Sequence, residues 1–208
     1  MPPPLIPSPA AEPERLHLAG ADVRYSADAF AREADALLDA LRSEIPWERH
    51  RLRLFGREVD APRLSCWIGD AGTGYTYSRV HFEPRAWTPT LASLREDLAT
   101  RFDLRFNSVL ANLYRDGKDS MGWHSDDEPE LGAEPVIASL SFGAPRRFRL
   151  RSRTTHEVAL SIELAHGSLL VMRGATQRLY QHDLPKTAGV ADARINLTFR
   201  EILVGARR

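Results

Sequence analysis

The chain has 208 residues, which suits one domain with a substantial hydrophobic core. Its 28 basic and 28 acidic side chains balance, so net charge alone indicates no nucleic acid, membrane or acidic ligand as partner. Cys66 is the single cysteine, which excludes an intrachain disulfide, and no apolar run approaches the ~20 residues that span a bilayer. The first residues lack the basic and apolar blocks of a signal peptide, so we expect a soluble, cytoplasmic protein. Residues 1–14 are Pro-rich and are expected to form a disordered tail.

Two helices are predicted in the first half of the chain, after a short strand expected near residues 16–25. Ser26 has the character of a helix cap, and apolar residues follow at helical spacing as far as Ser43, with a stop at Pro46. Thr88-Pro89 is the expected start of the second helix. The apolar stripes are Phe30, Ala34, Leu37, Leu38 and Leu41 in the first helix and Leu91, Leu94, Leu98 and Phe102 in the second.

Residues 49–64 are expected to form a hairpin that carries arginines, because two short alternating runs flank a Phe55-Gly56 turn. Arginines can neutralise phosphates there while an inserted Leu54 or Phe55 wedges between base steps. The alternative is an ordinary hairpin whose Phe55 packs on the core, and this segment alone favours that alternative. Tyr75 and Tyr77 lie on one face of the next extended segment, where they can stack on a base or pack in a half-buried strand.

Residues 107–127 contain the strongest chemical signal in the chain. The segment begins as a strand, turns through Asp116-Gly117 and ends on His124-Ser125-Asp126. Two residues apart in extended backbone, His124 and Asp126 project to the same face. An imidazole and a carboxylate on one face are two-thirds of a 2-His-1-carboxylate facial triad, which suits non-haem Fe(II). His182 fits the role of the third ligand.

The second half of the chain predicts a series of short strands separated by Gly, Pro or charged turns. Helices followed by many short strands indicate an α+β or mainly β domain, with a β-sandwich or jelly roll packed on the helices. The expected strands are 136–142, 147–151, 158–164, 168–172, 179–182 and 194–199. Arginine occupies every second position from Arg147 to Arg153, so arginines form one face of that strand. This face favours phosphate binding, with a solvated edge strand as the alternative.

The last predicted strand combines cations and polar groups on one face. That face carries Arg194, Asn196, Thr198 and Arg200. Arginines facing into a small barrel are costly unless anions meet them. A dicarboxylate cosubstrate supplies such anions, because the planar guanidinium suits a carboxylate, and internal salt bridges are the alternative. Asn112 and Tyr114, same-face neighbours on the strand that opens residues 107–127, can donate further hydrogen bonds to the cosubstrate.

From about residue 50 to residue 204, the sequence resembles the AlkB family of Fe(II)- and 2-oxoglutarate-dependent dioxygenases. The motifs that carry the resemblance are Asn112-Leu113-Tyr114, His124-Ser125-Asp126, Ala138–Gly143, His166–Met172, His182 and Arg194–Arg200. Leu54-Phe55-Gly56 stands where the duplex-DNA-acting branch carries its base-displacing finger, so the sequence is most similar to that branch. Together these motifs are specific for the family and less specific for the substrate.

The resemblance implies a double-stranded β-helix (jelly roll) with N-terminal helices and a nucleotide-recognition lid. Residues 15–208 would form one domain, with the helices and lid in 15–105 and the β-helix core in 106–204. The implied iron ligands, and therefore the catalytic residues, are His124, Asp126 and His182. Arg194 would bind the distal carboxylate of 2-oxoglutarate, and the other cosubstrate residues would be Asn112, Tyr114, Asn196, Thr198 and Arg200.

By the same resemblance, the reaction is oxidative demethylation of N1-methyladenine or N3-methylcytosine in DNA, which consumes O2 and 2-oxoglutarate and releases succinate and formaldehyde. The expected substrate is duplex DNA with the damaged base flipped out, RNA is the alternative, and a monomer is expected. The expected substrate contacts are Leu54, Phe55, Gly56, Arg57, Tyr75, Tyr77, Asp127 and Glu128. A solvated acidic loop is the competing interpretation of Asp127 and Glu128, and a catalytically silent jelly-roll binding module is the rival function.

Overall fold

The computed structural model describes residues 12–54, 57–77 and 80–203, without the side chains of residues 52–59 and 75–82. The strands in these ranges are β1 (Glu14–Leu16), β2 (Asp22–Ser26), β3 (Arg51–Leu54), β4 (Arg57–Asp60), β5 (Leu64–Gly69), β6 (Tyr75–Tyr77), β7 (Val80–Phe82), β8 (Ser108–Tyr114), β9 (Met121–His124), β10 (Ile137–Gly143), β11 (Arg146–Ser152), β12 (Val158–Leu164), β13 (Ser168–Arg173), β14 (Tyr180–Leu184) and β15 (Arg194–Arg200). The helices are α1 (Ala34–Glu44), α2 (Pro89–Phe102) and α3 (Thr176–Leu179), and Pro129–Leu131 form a 3₁₀ turn.

Two antiparallel sheets form the body of the described structure. The larger sheet has seven strands in the order β1-β2-β13-β10-β15-β8-β5, and the smaller has four in the order β12-β11-β14-β9. Side chains from both sheets line one cavity, so the sheets face each other as in a jelly roll. The predicted fold class is therefore confirmed. β3 with β4 and β6 with β7 form two separate hairpins, the first of which lies where the sequence predicts it.

The large sheet has an apolar face and a polar face, and β15 shows both. Ile195, Leu197 and Phe199 have no exposed surface and belong to the hydrophobic cluster that includes residues of α1 and α2. Burial of side chains of this size stabilises the fold by about 1.5–3 kcal/mol each. The intervening residues of β15 line the cavity between the sheets. The two-residue period of the strand thus places the helices on one side of the sheet and the polar site on the other.

The second helix begins where the sequence predicts, whereas the first does not. Thr88 Oγ1 accepts a hydrogen bond from the N–H of Leu91 at 3.4 Å, which caps α2. Ser26, the expected cap of the first helix, is instead the last residue of β2, and α1 begins only at Ala34. The reason is tertiary: β2 pairs with β13, and the N–H of Phe30 then bonds to Gly167 O, which holds the intervening chain in turns.

The N-terminal part of the chain contributes more to the sheet than the sequence indicates. β1, β2 and β5 all belong to the large sheet, so strands from both sides of the expected boundary at residue 105 share one sheet. Glu14, expected in the tail, is the first residue of β1 because it pairs with Tyr25 of β2. Residues 1–11 of the expected tail lie outside the described residues. Within the described ranges, no helix has the length and apolar character needed to cross a bilayer.

Candidate metal and cosubstrate site

Three predicted metal ligands meet between the two sheets. His124 ends β9, Asp126 follows two residues later, and His182 lies on β14 directly across from His124. One potential ligand atom from each residue can be chosen so that all three lie within 4.8 Å of one another. His124 Nε2 is 3.8 Å from Asp126 Oδ1. The structure therefore assembles two imidazoles and one carboxylate, the donor set of a facial triad.

The protonation states of these three side chains suit a divalent metal. His124 Nδ1 lies 2.8 Å from Gly122 O, a contact that assigns the ring proton to Nδ1 and leaves the Nε2 lone pair facing Asp126. Burial lowers the pKa of His124 and lowers that of His182 to about 3. His182 Nδ1 is buried and has no hydrogen-bond partner among the described residues. Neutral imidazoles are the form that binds metal, so the residues fit an Fe(II) site.

Asp126 is ionised because a buried arginine compensates for its desolvation. Burial raises the pKa of Asp126, but the nearby Arg200 guanidinium and the two histidines outweigh this and bring the pKa to about 2. Arg200 Nη2 donates to Asp126 Oδ2 at 2.7 Å, and both side chains are only 4 % exposed. Arg200, expected beside the cosubstrate, thus lines the cavity as the partner of a metal ligand. The other oxygen, Asp126 Oδ1, lies toward His124.

Arg194 is a buried cation without a carboxylate partner among the described residues. Its Nη2 donates to Ser141 Oγ at 2.8 Å, and its Nε is buried without a hydrogen-bond partner in the described part of the chain. The guanidinium groups of Arg194 and Arg146 both lie over the Tyr114 ring, 5.3 Å and 5.8 Å from its centroid. Burial lowers the pKa of Arg194 to about 10, so it stays protonated at neutral pH. A ligand carboxylate would supply the missing anion.

The remaining predicted cosubstrate residues line the same cavity. Asn196 Nδ2 donates to Ser139 Oγ at 2.7 Å, and Thr198 Oγ1 donates to Asn196 Oδ1 at 3.2 Å. Asn112 lies directly across from Asn196 in the pairing of β8 with β15. All six residues predicted around 2-oxoglutarate are therefore brought together, and their ligand contacts stay a prediction.

Two buried residues of the site were not singled out by sequence. Arg63 is 6 % exposed and lines the cavity, where its Nε donates to Asn112 Oδ1 at 2.7 Å and its charge lowers the pKa of His124. Gln177, on α3, accepts a hydrogen bond from the N–H of Asp126 at 3.0 Å. Arg63 meets Asn112 across 49 positions of sequence, so no local pattern identifies its role. No local pattern identifies Gln177.

The expected substrate contacts are less fully described. Phe55 and Gly56 lie outside the described residues, as do the side chains of Leu54, Arg57, Tyr75 and Tyr77, although Leu54 pairs with Arg57 in the β3–β4 hairpin. Asp127 is exposed, and its Oδ2 accepts a hydrogen bond from Arg153 Nη1 at 2.6 Å. Glu128 is partly buried and directly precedes the 3₁₀ turn. From the hairpin side, His50 and Arg51 line the cavity, so the cavity reaches the base of the expected finger.

The arginine face of β11, expected to bind phosphate, has polar and aromatic partners within the described chain. Arg149 forms a salt bridge with Asp183, and Arg151 donates to Gln181 Oε1 at 2.8 Å. Both guanidinium groups also lie over the Trp123 ring, 4.9 Å and 4.5 Å from its centroid. β11 lies between β12 and β14, so the alternative of an edge strand is wrong, and phosphate binding by this face stays a prediction. The polar partners of these two arginines, Asp183 and Gln181, both lie on the neighbouring strand β14.

Comparisons with known proteins agree with this geometry. The family model of the 2OG-Fe(II) oxygenase superfamily matches residues 25–200. The chain is 45% identical over 183 residues to alpha-ketoglutarate-dependent dioxygenase alkB homolog 3 of Rattus norvegicus, an alignment that covers 82% of this chain and 60% of that protein. It is 37% identical over 195 residues to DNA oxidative demethylase ALKBH2 of Homo sapiens, which covers 89% of this chain and 75% of that protein.

A solved structure described as "The structure of OsALKBH1" matches with a TM-score of 0.59 and 16% identity, over 90% of this chain and 100% of that one. At this identity the match shows a shared fold and nothing more. The chain spans about 60% of the length of the alkB homolog 3 proteins that it matches.

Proposed function

This chain belongs to the AlkB family of the 2OG-Fe(II) oxygenase superfamily, as its sequence predicted, and we propose that it is a dioxygenase that removes N-methyl groups from damaged bases. The proposed substrates are N1-methyladenine and N3-methylcytosine in DNA, and the products are the repaired base, formaldehyde and succinate. RNA is the alternative polymer. We further propose that the protein acts as a monomer in the cytoplasm.

One observation carries the proposal: the triad lines the same cavity as Arg194, a buried arginine with no carboxylate partner among the described residues. Fe(II), when bound with 2-oxoglutarate and O2, supplies the oxidation of a methyl C–H bond coupled to decarboxylation of the cosubstrate. His124, Asp126 and His182 would hold the iron. Arg194 would bind the distal carboxylate of 2-oxoglutarate, since this cation is desolvated and has no carboxylate partner in the described chain.

Other residues of the cavity form two kinds of surface. Polar side chains line the part where ligands would bind, and apolar side chains exclude water from the rest. Asn112 and Asn196 face each other across β8 and β15 and offer amide groups to the cosubstrate. Phe148 packs against the His182 ring with the two centroids 5.4 Å apart, and Leu164 and Met172 line the wall nearby. Exclusion of water strengthens the electrostatic contacts of the site and protects reactive species from side reactions.

Access to the triad sets a requirement on the substrate. His182 and Asp126 are 6 % and 3 % exposed and lie between the sheets, so a base inside a stacked duplex cannot reach them. The base must therefore be flipped out or already unpaired, at a cost of a few kcal/mol that falls for a base that cannot pair normally. N1-methyladenine and N3-methylcytosine are such bases. The name of the relative ALKBH2, DNA oxidative demethylase, supports DNA as the polymer.

The experiment that tests the proposal measures succinate and formaldehyde together. Oligonucleotides with one N1-methyladenine are supplied as duplex DNA, single-stranded DNA and RNA, with Fe(II), 2-oxoglutarate and O2. We expect equal amounts of both products on DNA, none with a chelator, and none from the His124→Ala variant. Release of succinate without formaldehyde would contradict N-methylated bases as the substrate and would still support the iron-dependent oxidation of 2-oxoglutarate. If no substrate yields either product, the result would contradict the dioxygenase activity and favour the catalytically silent binding module.

The expected role of the β3–β4 hairpin is tested in the same assay. The Phe55→Ala variant should lose formaldehyde release on the duplex and retain it on the single strand, because only the duplex needs a side chain that fills the gap left by the flipped base. Equal losses on both substrates would contradict this role.

A further inference from the structure

The metal ligand Asp126 is held through its main chain as well as its carboxylate. Its N–H donates to Gln177 Oε1 at 3.0 Å, and this contact is buried. Gln177 is only 2 % exposed and lies on α3, the short helical turn between β13 and β14. The other end of the Gln177 amide is also engaged, since Nε2 lies 3.5 Å from Met172 Sδ. The amide orientation that places an acceptor oxygen at Asp126 is therefore fixed at both ends.

The residues on either side of Asp126 are fastened to the same part of the fold. Ser125 Oγ donates to Tyr180 O at 2.9 Å, and Tyr180 is the first residue of β14. Arg153 Nη1 donates to Asp127 Oδ2 at 2.6 Å and to Gln177 O at 3.2 Å. Residues 125–127 are thus attached to α3 and β14 at three consecutive positions. β14 also carries His182, so one structural unit positions two of the three predicted ligands.

We propose that Gln177 is a positioning residue of the metal site, which sets the place of the Asp126 carboxylate through the Asp126 main chain. An aspartate side chain has few torsions, so the position of its Cα largely decides where its oxygens lie. Arg200 orients Oδ2 from one side, and Gln177 holds the backbone from the other. Without the amide acceptor, a buried N–H would lose its partner and the segment would shift to recover one. The inference rests on the proposed function only in assuming that the triad binds a divalent metal.

The test uses the metal-free protein and Co(II), which reports its ligand geometry in its visible spectrum. Gln177→Met keeps the length and burial of the side chain and removes the acceptor, whereas Gln177→Glu keeps an acceptor oxygen. We expect Gln177→Met to bind Co(II) about 10- to 100-fold more weakly, as is usual when a group supporting a metal ligand is lost. Gln177→Glu should stay within about threefold of the wild type, a rescue by the conservative variant.

A second readout does not depend on metal. In the metal-free wild type, the buried and bonded N–H of Asp126 should exchange slowly with deuterated solvent. Gln177→Met should exchange faster at Asp126 while the amides of β15 keep their protection. Gln177→Asn replaces the Met variant if that variant does not fold. Its shorter side chain moves the oxygen away from Asp126, so it should also weaken Co(II) binding and speed exchange at Asp126.

Leu94→Ala is the matched control for general destabilisation. Leu94 is buried in the hydrophobic cluster on the helix side of the large sheet, away from the cavity, and its truncation lowers stability without touching the site. Unchanged Co(II) affinity in Leu94→Ala, with weakened binding in Gln177→Met, supports the inference. Equal weakening in both variants would overturn it, as would wild-type affinity and Asp126 protection in Gln177→Met. A wild type that binds no Co(II) would overturn the proposed function as well.

Discussion

The strands β11 and β15 have the same kind of sequence and opposite roles. Both alternate arginine or another polar residue with apolar residues, which in a strand places one set on each face. On β15 the polar face turns inward, where Arg194 and Arg200 are 2 % and 3 % exposed. On β11, Arg147, Arg149 and Arg151 lie on the outer surface of the small sheet, and Phe148 and Leu150 are buried beneath it. Alternation alone therefore does not distinguish a ligand site from a surface.

What distinguishes the two strands is the source of the compensating groups. On β11 the chain supplies them, since Arg149 has the Asp183 carboxylate and Arg151 has the Gln181 amide. On β15, Arg200 has Asp126, but Arg194 has a serine hydroxyl and no carboxylate among the described residues. A buried cation without an anion is costly, and it persists where a ligand provides the anion. Within the described chain, the cation that lacks a carboxylate partner, Arg194, is therefore the one that we expect to bind the ligand.

The largest expected effect is that of Arg194→Met. Loss of the cation should weaken binding of 2-oxoglutarate by about 2–5 kcal/mol, or roughly 30- to 5,000-fold, because a desolvated carboxylate would lose its charge partner. The metal-free protein should be as stable as the wild type or more stable, since a buried unpaired charge is removed. Succinate formation as a function of 2-oxoglutarate concentration gives the first quantity, and thermal unfolding gives the second. A variant that is strongly destabilised and keeps its cosubstrate affinity would make Arg194 a structural residue.

Arg149→Met should give the converse result. Asp183 is buried and its salt bridge to Arg149 would be lost, so the free energy of unfolding should fall by about 1–3 kcal/mol. Turnover should stay within about twofold of the wild type at a temperature where the variant is folded, because Arg149 does not line the cavity. Urea unfolding compares this single variant with the double variant Arg149→Met/Asp183→Asn. If the unpaired Asp183 carboxylate causes the destabilisation, Asp183→Asn should restore part of the lost free energy of unfolding. No restoration would mean that the lost packing over Trp123 dominates.

The smallest effect is expected from Arg147→Ala. Arg147 is exposed and lies across from Glu163 on β12, so its removal should change stability by no more than about 0.5 kcal/mol. DNA affinity and its dependence on salt should also stay the same if β11 is not a phosphate-binding face. Loss of one phosphate contact would lower the salt slope by about 1, which a titration at several salt concentrations detects. Such a decrease would restore the interpretation drawn from sequence alone.

Much of the fold and the site could be predicted because the sequence signals are local or consist of residues at a fixed separation along the chain. Thr88-Pro89 marked the start of α2, and the alternation of residues 194–200 gave both faces of β15. His124 and Asp126 two residues apart, with His182, identified the three side chains that the structure brings together. In each case the residue types and their separation along the chain contain the information that the geometry then uses.

The parts that sequence did not predict depend on contacts between distant segments. Ser26 has the residue type of a helix cap, but it is the last residue of β2 because β2 pairs with β13. Gln177 meets Asp126 across 51 positions of sequence, and Arg63 meets Asn112 across 49, so neither contact has a local signature. The segment that contains the arginines of β11 has no acidic residue to compensate for their charge, because the partner of Arg149 is Asp183 on another strand. Tertiary partners decide these cases.

The most direct test of the account is thermal unfolding of the wild type, Arg194→Met and Arg149→Met with increasing 2-oxoglutarate in the presence of Mn(II). A ligand that binds only the folded protein raises the unfolding temperature as its concentration passes the dissociation constant. We expect 2-oxoglutarate to raise the unfolding temperature of the wild type and of Arg149→Met to the same extent, and to stabilise Arg194→Met only at concentrations at least about 30-fold higher. Equal stabilisation of all three proteins at the same concentration would show that Arg194 does not bind the cosubstrate.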